Sequence, residues 1–348
     1  MPNRTPIISF IIPVYNAELY IKDCLNSIIG QKSFCDCELI CVDDKSTDRS
    51  CGIIAEYEKQ YPNIRLIHHD TNKKAGGARN TGIKASRGQY IWFVDSDDTI
   101  ADGALGKIVT QLKTNDLDVF CFNYSLRYED SEQICEVFKD SAVESGYQFI
   151  ETQWGGQKII YYLGYPVIAV FRKSIVMDKN ISFIENVTFG EDTTFIAEVI
   201  AESTRVASTA ESFYNYRQRH TSATSLLMKS WKGAQIYESI FVAGNLVISN
   251  LIERHRGRNE EFSHNIELGM PWFVNRLFFR LLRSSSSERR LFYRRVVADR
   301  ESTRQITKYM NRRNRFLVNH SGCSRLLMNV GSLVYKVIHK RVVWRNFL

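Results

Sequence analysis

Over the first hundred residues, short apolar blocks alternate with polar stretches in which apolar residues recur at helical spacing. Residues 7–14 (IISFIIPV) form a nearly continuous apolar run, the pattern of a strand buried on both faces. Pro13 has no N–H to give a ladder and is expected to mark that strand's end. Leu19, Ile21, Cys24, Leu25 and Ile28 then predict a helix from Glu18 to Ile29. Residues 37–42 (CELICV) read as a second strand ending at Asp43 and Asp44. Ser46, Thr47 and Asp48 offer an N-cap for a helix reaching about Tyr61. Ile64–His68 is a third strand, Ala75–Ala85 a helix opened by Gly76 and Gly77, and Tyr90–Val94 a fourth strand. Strand and helix in alternation predict an α/β fold built on a mostly parallel, doubly wound sheet. Further strands are expected at Asp118–Tyr128 and Ile134–Phe138, and a helix at Glu191–Ala201. Residues 147–179 carry no clear period. From residue 226 the spacing is helical without strand signals, so the chain divides into a domain at 1–225 and a basic helical region at 226–348.

The fourth strand stops at three carboxylates within four residues, Asp95, Asp97 and Asp98. Alternation points Asp95 and Asp97 the same way, and no basic residue is near in sequence. Carboxylates so crowded repel one another unless a cation sits between them. Mg²⁺ and similar hard ions take carboxylate oxygens together with those of a bound phosphate. An acidic turn ahead of a helix would satisfy the same pattern, so the rest of the chain decides. In doubly wound sheets, ligands sit beyond the carboxyl ends of the strands. Tyr15, Asp43, Asp44, Asp95 and Asp97 all fall there, delivered by three different strands. Tyr15 would stack on a base, and Asp43 or Asp44 would accept hydrogen bonds from a base N–H or a ribose hydroxyl. In residues 75–80 (AGGARN) the small residues would let a ligand approach the backbone, and Arg79 would pair with phosphate. Each feature also has a purely structural reading: strand-end packing, a helix cap, a surface turn.

Residues 11–16 (IIPVYN), 42–48 (VDDKSTD), 77–82 (GARNTG) and 93–98 (FVDSDD) together resemble glycosyltransferase family 2, which has the GT-A fold. The resemblance implies that Pro13, Tyr15, Asp44 and Arg79 hold the nucleotide, with Asp43 beside them. It implies that Asp95 is the first Asp of the DxD motif, at the ribose, and that Asp97 binds Mn²⁺ or Mg²⁺. Lys45 departs from the family, where Gly is usual. Glu191 and Asp192, taken alone, are acids welcome in the first turn of a helix. The resemblance implies that Asp192 is the catalytic base and that Glu191 helps position the acceptor. Residues 213–220 (FYNYRQRH), with Ser222 and Ser225, resemble the family's Tyr-Arg…Ser stretch that closes the domain. The implied reaction is inverting transfer of a sugar from a UDP-linked donor to a hydroxyl of a glycan or lipid-linked glycan.

Composition narrows the rivals. Of the 348 residues, 44% are hydrophobic and 24% charged, as in an ordinary soluble domain, and no apolar run is long enough to span a membrane. Met1 to Arg4 lead straight into a strand-like segment, so no signal peptide is expected. The eight cysteines are scattered, Cys35 and Cys37 lack a second pair for zinc, and a reduced, cytoplasmic chain follows. Residues 271–348 hold 18 Lys/Arg against 3 Asp/Glu, a surplus of +15; with +8 overall, residues 1–270 carry −7. An acidic body with a basic amphipathic tail disfavours a nucleic-acid coat and fits an anionic membrane surface on the cytoplasmic face. A phosphatase of the haloacid-dehalogenase type would use Asp95 as nucleophile, but that motif belongs on a first strand. A non-catalytic nucleotide-sugar-binding scaffold on the membrane is the remaining alternative. Absence of Gly-x-Gly-x-x-Gly after the first strand argues against an oxidoreductase.

Overall fold

In the computed structural model, whose described residues are 4–128, 130–154, 165–185 and 191–218, the first four apolar blocks become parallel strands. These are β1 (Ile8–Val14), β2 (Glu38–Asp43), β3 (Ile64–His68) and β4 (Tyr90–Phe93). They pair in the order β3-β2-β1-β4. Helices α1 (Ile21–Ile29), α2 (Ser50–Gln60) and α3 (Lys74–Ala85) make the crossovers. With helices covering it, β2 is buried along its whole length, as its unbroken apolar run requires.

Three boundaries differ from expectation, each for a local reason. Pro13 lies inside β1, in register with Val42, and the strand runs on to Val14. Its missing N–H would face the β4 side, where pairing has already ended at Ile11 and Phe93, so no ladder bond is lost. Helix α1 starts at Ile21 because the Ala17 carbonyl accepts from both Tyr20 and Ile21, while the Glu18 N–H donates to Asp48 Oδ2. Leu19 is therefore 73% exposed and no part of the core. Helix α2 starts at Ser50, whose N–H and hydroxyl both donate to Asp48 Oδ1.

Helix α3 lies flush on the sheet. A Cβ at Gly82 would stand 2.3 Å from Ile11 Cγ2, and one at Gly76 would stand 2.8 Å from the Ile184 carbonyl. The small residues of this helix thus admit the protein's own chain.

Past β4 the sheet changes character. The remaining elements are β5 (Thr99–Ile100), α4 (Ala104–Asn115), β6 (Val119–Arg127), β7 (Glu132–Cys135), α5 (Gly146–Trp154), β8 (Ala169–Arg172), α6 (Lys173–Asp178), α7 (Glu191–Glu202) and β9 (Val206–Arg217). The order continues β4-β8-β6-β9-β5, with β7 on β6. The β4–β8, β8–β6 and β9–β5 pairs are antiparallel, and β6–β9 is parallel. The expected α/β fold is present, but its sheet is mixed, not mostly parallel. The second expected strand after Asp118 is shorter than predicted. Asn123 takes over its far end, accepting from the N–H groups of Val137 and Phe138 and donating to the Phe138 and Ala210 carbonyls.

Trp92, Phe93, Phe122, Phe171, Phe183 and Phe195 are among the largest fully buried side chains. Phe183 stacks on Phe195 at 4.1 Å, and Phe93 meets both edge-on. Every described residue belongs to the compact unit formed by residues 1–155 and 162–219. His220, Ser222, Ser225 and the basic region 226–348 lie outside the described residues. No helix among the described residues is long and apolar enough to cross a membrane.

Candidate active site

At the end of β4 the Val94 N–H donates to the Ile11 carbonyl, and the chain then turns, with the Asp98 N–H bonded to the Asp95 carbonyl. Residues over a hundred positions away hold this acidic turn. The Tyr214 hydroxyl, fully buried, accepts the Asp95 N–H at 3.1 Å and donates to Asp98 Oδ2 at 2.7 Å. The Arg217 N–H donates to Asp98 Oδ1 at 2.8 Å, and its Nε to the Asp97 carbonyl at 3.0 Å. Asp98 is buried, and burial, reinforced by Asp97 and Asp95, pushes its carboxyl well above the usual range. It is the strut of the turn. Asp95 and Asp97 remain partly exposed on the rim.

Beside the turn sits Arg79, presented by α3. Its guanidinium is almost completely buried and lies 2.9 Å from Asp95 Oδ1, 2.6 Å from Asp192 Oδ1 and 4.0 Å from Glu191 Oε1. It lies 5.3 Å from the centre of the Phe183 ring. Burial works against its charge, but the three carboxylates outweigh burial and hold its pKa above that of an ordinary arginine. Its Nε has no hydrogen-bond partner among the described residues. Burial pushes Asp192 well up, Glu191 and Asp95 add to this, and Arg79 opposes it. Glu191 moves the same way for the same leading reason. The sequence suggests phosphate as the partner of Arg79; in this structure its partners are carboxylates.

Asn80, next to Arg79, was not singled out by sequence. It donates to the Phe183 carbonyl and to Glu185, and accepts the Phe183 N–H. It ties to α3 the segment that carries the Phe183 ring under Arg79. Its signal in the sequence is its place in the GARN motif, directly after the charged Arg79.

The third part of the rim lies at the ends of β1 and β2. Tyr15 is 56% exposed, open for stacking, with Pro13 two residues before it. Asp44 is buried: Oδ1 faces His69 Nδ1 at 2.8 Å and accepts the Lys73 N–H at 2.7 Å, so it fastens the entry to α3. Asp43 is also buried. Burial opposes its ionisation, yet hydrogen bonds from Ser46, Cys51 and His68 hold its pKa below the usual carboxylate value. Lys45 adopts φ +68°, a left-handed conformation that costs a non-glycine residue about 1–2 kcal/mol. The departure from the family's Gly therefore falls where Gly would be free of strain.

The structure thus brings Asp95, Arg79, Glu191 and Asp192 into contact, sets Asp97 on the adjoining turn, and places Tyr15, Asp43 and Asp44 on the neighbouring strand ends. Comparison with known proteins adds the family and the fold. Residues 9–178 match the family described as Glycosyl transferase family 2. The chain is 32% identical over 225 residues to the uncharacterized glycosyltransferase EpsJ of Bacillus subtilis (strain 168), an alignment spanning 64% of each protein. It is 47% identical over 116 residues to the poly(ribitol-phosphate) beta-glucosyltransferase of Bacillus spizizenii, spanning 32% of this chain and 18% of that one. Among solved structures, residues 1–349 of S. aureus TarS in complex with UDP-GlcNAc superpose with a TM-score of 0.71 at 20% identity, covering 96% of this chain and 92% of that one. The fold is therefore GT-A, and residues 9–178 of this chain carry the sequence of glycosyl transferase family 2.

Proposed function

We propose that the protein is an inverting glycosyltransferase, moving a sugar from a UDP-linked donor to a hydroxyl of a cell-surface glycan or lipid-linked glycan. The carrying observation is the meeting of Asp95, Glu191 and Asp192 around buried Arg79, directly beside the acidic turn. TarS binds UDP-GlcNAc, which supports a UDP-linked donor, and the B. spizizenii relative is a poly(ribitol-phosphate) beta-glucosyltransferase, which supports a polymer acceptor.

In this reading Tyr15 and Pro13 flank the base, Asp43 and Asp44 recognise the nucleoside, and Asp95 meets the ribose. Asp97 holds Mn²⁺ or Mg²⁺. The residues fit such an ion: Asp95 and Asp97 stand partly exposed on one turn and offer the carboxylate oxygens a hard cation takes. When bound, the ion compensates the charge of the departing diphosphate. Asp192 takes the acceptor proton, its basicity raised by burial. Arg79, 2.6 Å away, fixes that carboxylate in place, and Glu191 orients the acceptor. A single displacement then inverts the anomeric centre. The phosphatase alternative finds no support: Asp95 follows a fourth strand and is paired with a buried guanidinium. The catalytic domain is placed at 1–225, and the basic region 226–348 against an anionic membrane surface. Charge reversal at Lys336, Lys340, Arg341 and Arg345 would then abolish binding to anionic vesicles.

The test is UDP release from a panel of UDP-sugars, with Mn²⁺, Mg²⁺ or EDTA. Asp97→Asn should lose metal-dependent donor binding. Asp192→Asn should lower kcat by about 10²–10⁴ with UDP affinity kept. A phosphoryl-enzyme, or full turnover in Asp192→Asn, would overturn the reading.

A further inference from the structure

Four of the cysteines, Cys24, Cys37, Cys41 and Cys121, are buried in apolar packing. Cys51 differs. It sits in the first turn of α2, half-buried, with Sγ 3.9 Å from His68 Nδ1 at the end of β3. His68 Nδ1 lies 3.5 Å from Asp43 Oδ2 at the end of β2. One ligand atom from each of Asp43, Cys51 and His68 lies within 4.8 Å of the others. Zinc bonds of roughly 2.0–2.3 Å to O, N and S put tetrahedral ligand atoms about 3.3–3.6 Å apart. The cluster thus closes onto such an ion with side-chain shifts alone. Oδ1 of Asp43 is already anchored by the Ser46 N–H at 3.1 Å, which leaves Oδ2 aimed at the cluster, the outer support a metal-binding carboxylate ordinarily has. The His68 side chain is 59% exposed, so a fourth position opens to solvent.

We infer that Asp43, Cys51 and His68 form a binding site for a borderline-soft divalent cation such as Zn²⁺, at the nucleoside end of the rim. Sulfur and imidazole exclude Mg²⁺, which demands oxygen, so this site differs in chemistry from the one proposed at Asp97. On binding, the Cys51 thiol gives its proton to solvent as the sulfur–metal bond forms. Where Asp43 also recognises the nucleoside, which rests on the reading above, the ion and the donor compete for one carboxylate.

The full-length protein is titrated with Co²⁺ without nucleotide, and visible and near-ultraviolet absorption is followed. One equivalent should give thiolate-to-cobalt charge transfer with tetrahedral d–d bands, displaced by Zn²⁺. A cobalt ion on the oxygens of the acidic turn gives no thiolate band. Cys51→Ala and His68→Ala, each confirmed folded by circular dichroism, should abolish the bands and weaken Zn²⁺ binding by more than the roughly 10–100-fold typical of losing an outer partner. Absence of charge transfer in the wild type, or its persistence in Cys51→Ala, overturns the site. UDP affinity with and without Zn²⁺ then separates the two ideas. A loaded site that weakens UDP in the wild type but not in Cys51→Ala supports both. A loaded site with unchanged UDP affinity still establishes the metal site and removes Asp43 from donor recognition.

Discussion

The two ends of the parallel strands hold buried clusters of the same ingredients in opposite proportion. At the amino end, Glu38 is one carboxylate met by the Ser9 hydroxyl at 2.7 Å, Arg65 at 3.1 Å and Arg87 at 3.1 Å. Burial opposes its ionisation, but those hydrogen bonds and charges outweigh burial and hold its pKa below the ordinary value. At the carboxyl end, Arg79 is one guanidinium faced by three carboxylates, two of which burial pushes upward. Where cations exceed acids, the charge is satisfied within the protein and the end is structural. Where acids exceed cations, the surplus must be met by a proton or a ligand. Displaced carboxylates in excess are what mark a site.

The largest break is expected from Arg79→Met. It leaves the buried Glu191 and the partly buried Asp95 and Asp192 without their cation, and unfolding in urea at pH 7 should require about 3 kcal/mol less, the lower end for breaking a buried pair. The loss should shrink toward pH 5, as Glu191 and Asp192 take up protons. Equal losses at both pH values would show that the guanidinium acts there by packing alone.

At the opposite end, Glu38→Gln should cost about 2 kcal/mol, the scale of hydrogen bonds to a charged group, because Arg65 and Arg87 reach water on losing it. Glu38 has a lowered folded pKa, so its stabilisation is present above the unfolded value and lost as pH falls through the folded one. The variant should therefore lose stability at pH 7, show a flatter acid limb and keep kcat. A changed kcat would make this end part of the catalytic apparatus.

The comparison also explains what the sequence could show. β1 to β4 and their crossovers were legible because each strand is an apolar block closed by a turn; β1–β2 and β2–β3 pair in chain order, and β4 returns to β1. Tyr15, Asp43, Asp44 and Asp95 stand at strand ends, where position alone argues for a ligand. The mixed half was not legible. β5 has two residues, and β9 is polar at Ser208, Thr209, Glu211 and Ser212, with register shifts against β6. The absence of a cation near Asp95 was a property of sequence distance only, since Arg79 and Arg217 arrive through the fold. Asp98 looked like one more acid of a motif, and its role depends on Tyr214, 116 residues on. The Asp43–Cys51–His68 group has no spacing signature because each residue comes from a different element.

Tyr214→Phe tests the long-range hold on the acidic turn. It leaves the Asp95 N–H and Asp98 Oδ2 without this partner, which should cost about 1–2 kcal/mol. If the hydroxyl orients the turn for Asp97, the apparent affinity for Mn²⁺ should weaken while kcat at saturating metal stays near wild type. A variant that loses stability with unchanged Mn²⁺ dependence would make Tyr214 a packing residue only.

The smallest effect is expected from Asp98→Asn, and its value lies in its sign. The folded pKa of Asp98 is raised, first by burial and then by Asp97 and Asp95. A carboxyl raised in this way favours the fold below its unfolded pKa, about 3.9, and that contribution is lost as pH rises through the folded value. This is opposite to Glu38. An amide has no such ionisation, so the variant avoids the decline. Its oxygen can still accept the Arg217 N–H, but its NH₂ group meets a Tyr214 oxygen already accepting from Asp95, and the hydroxyl proton loses its acceptor. The gain and the loss oppose each other, so stability at pH 7 should change by about 1 kcal/mol or less, the scale of one hydrogen bond. The difference should tilt with pH, the variant gaining relative to wild type from pH 4 to pH 8 in paired thermal melts. Parallel curves would mean that Asp98 carries no charge penalty, and the surplus at the carboxyl end would then rest on Glu191 and Asp192 alone.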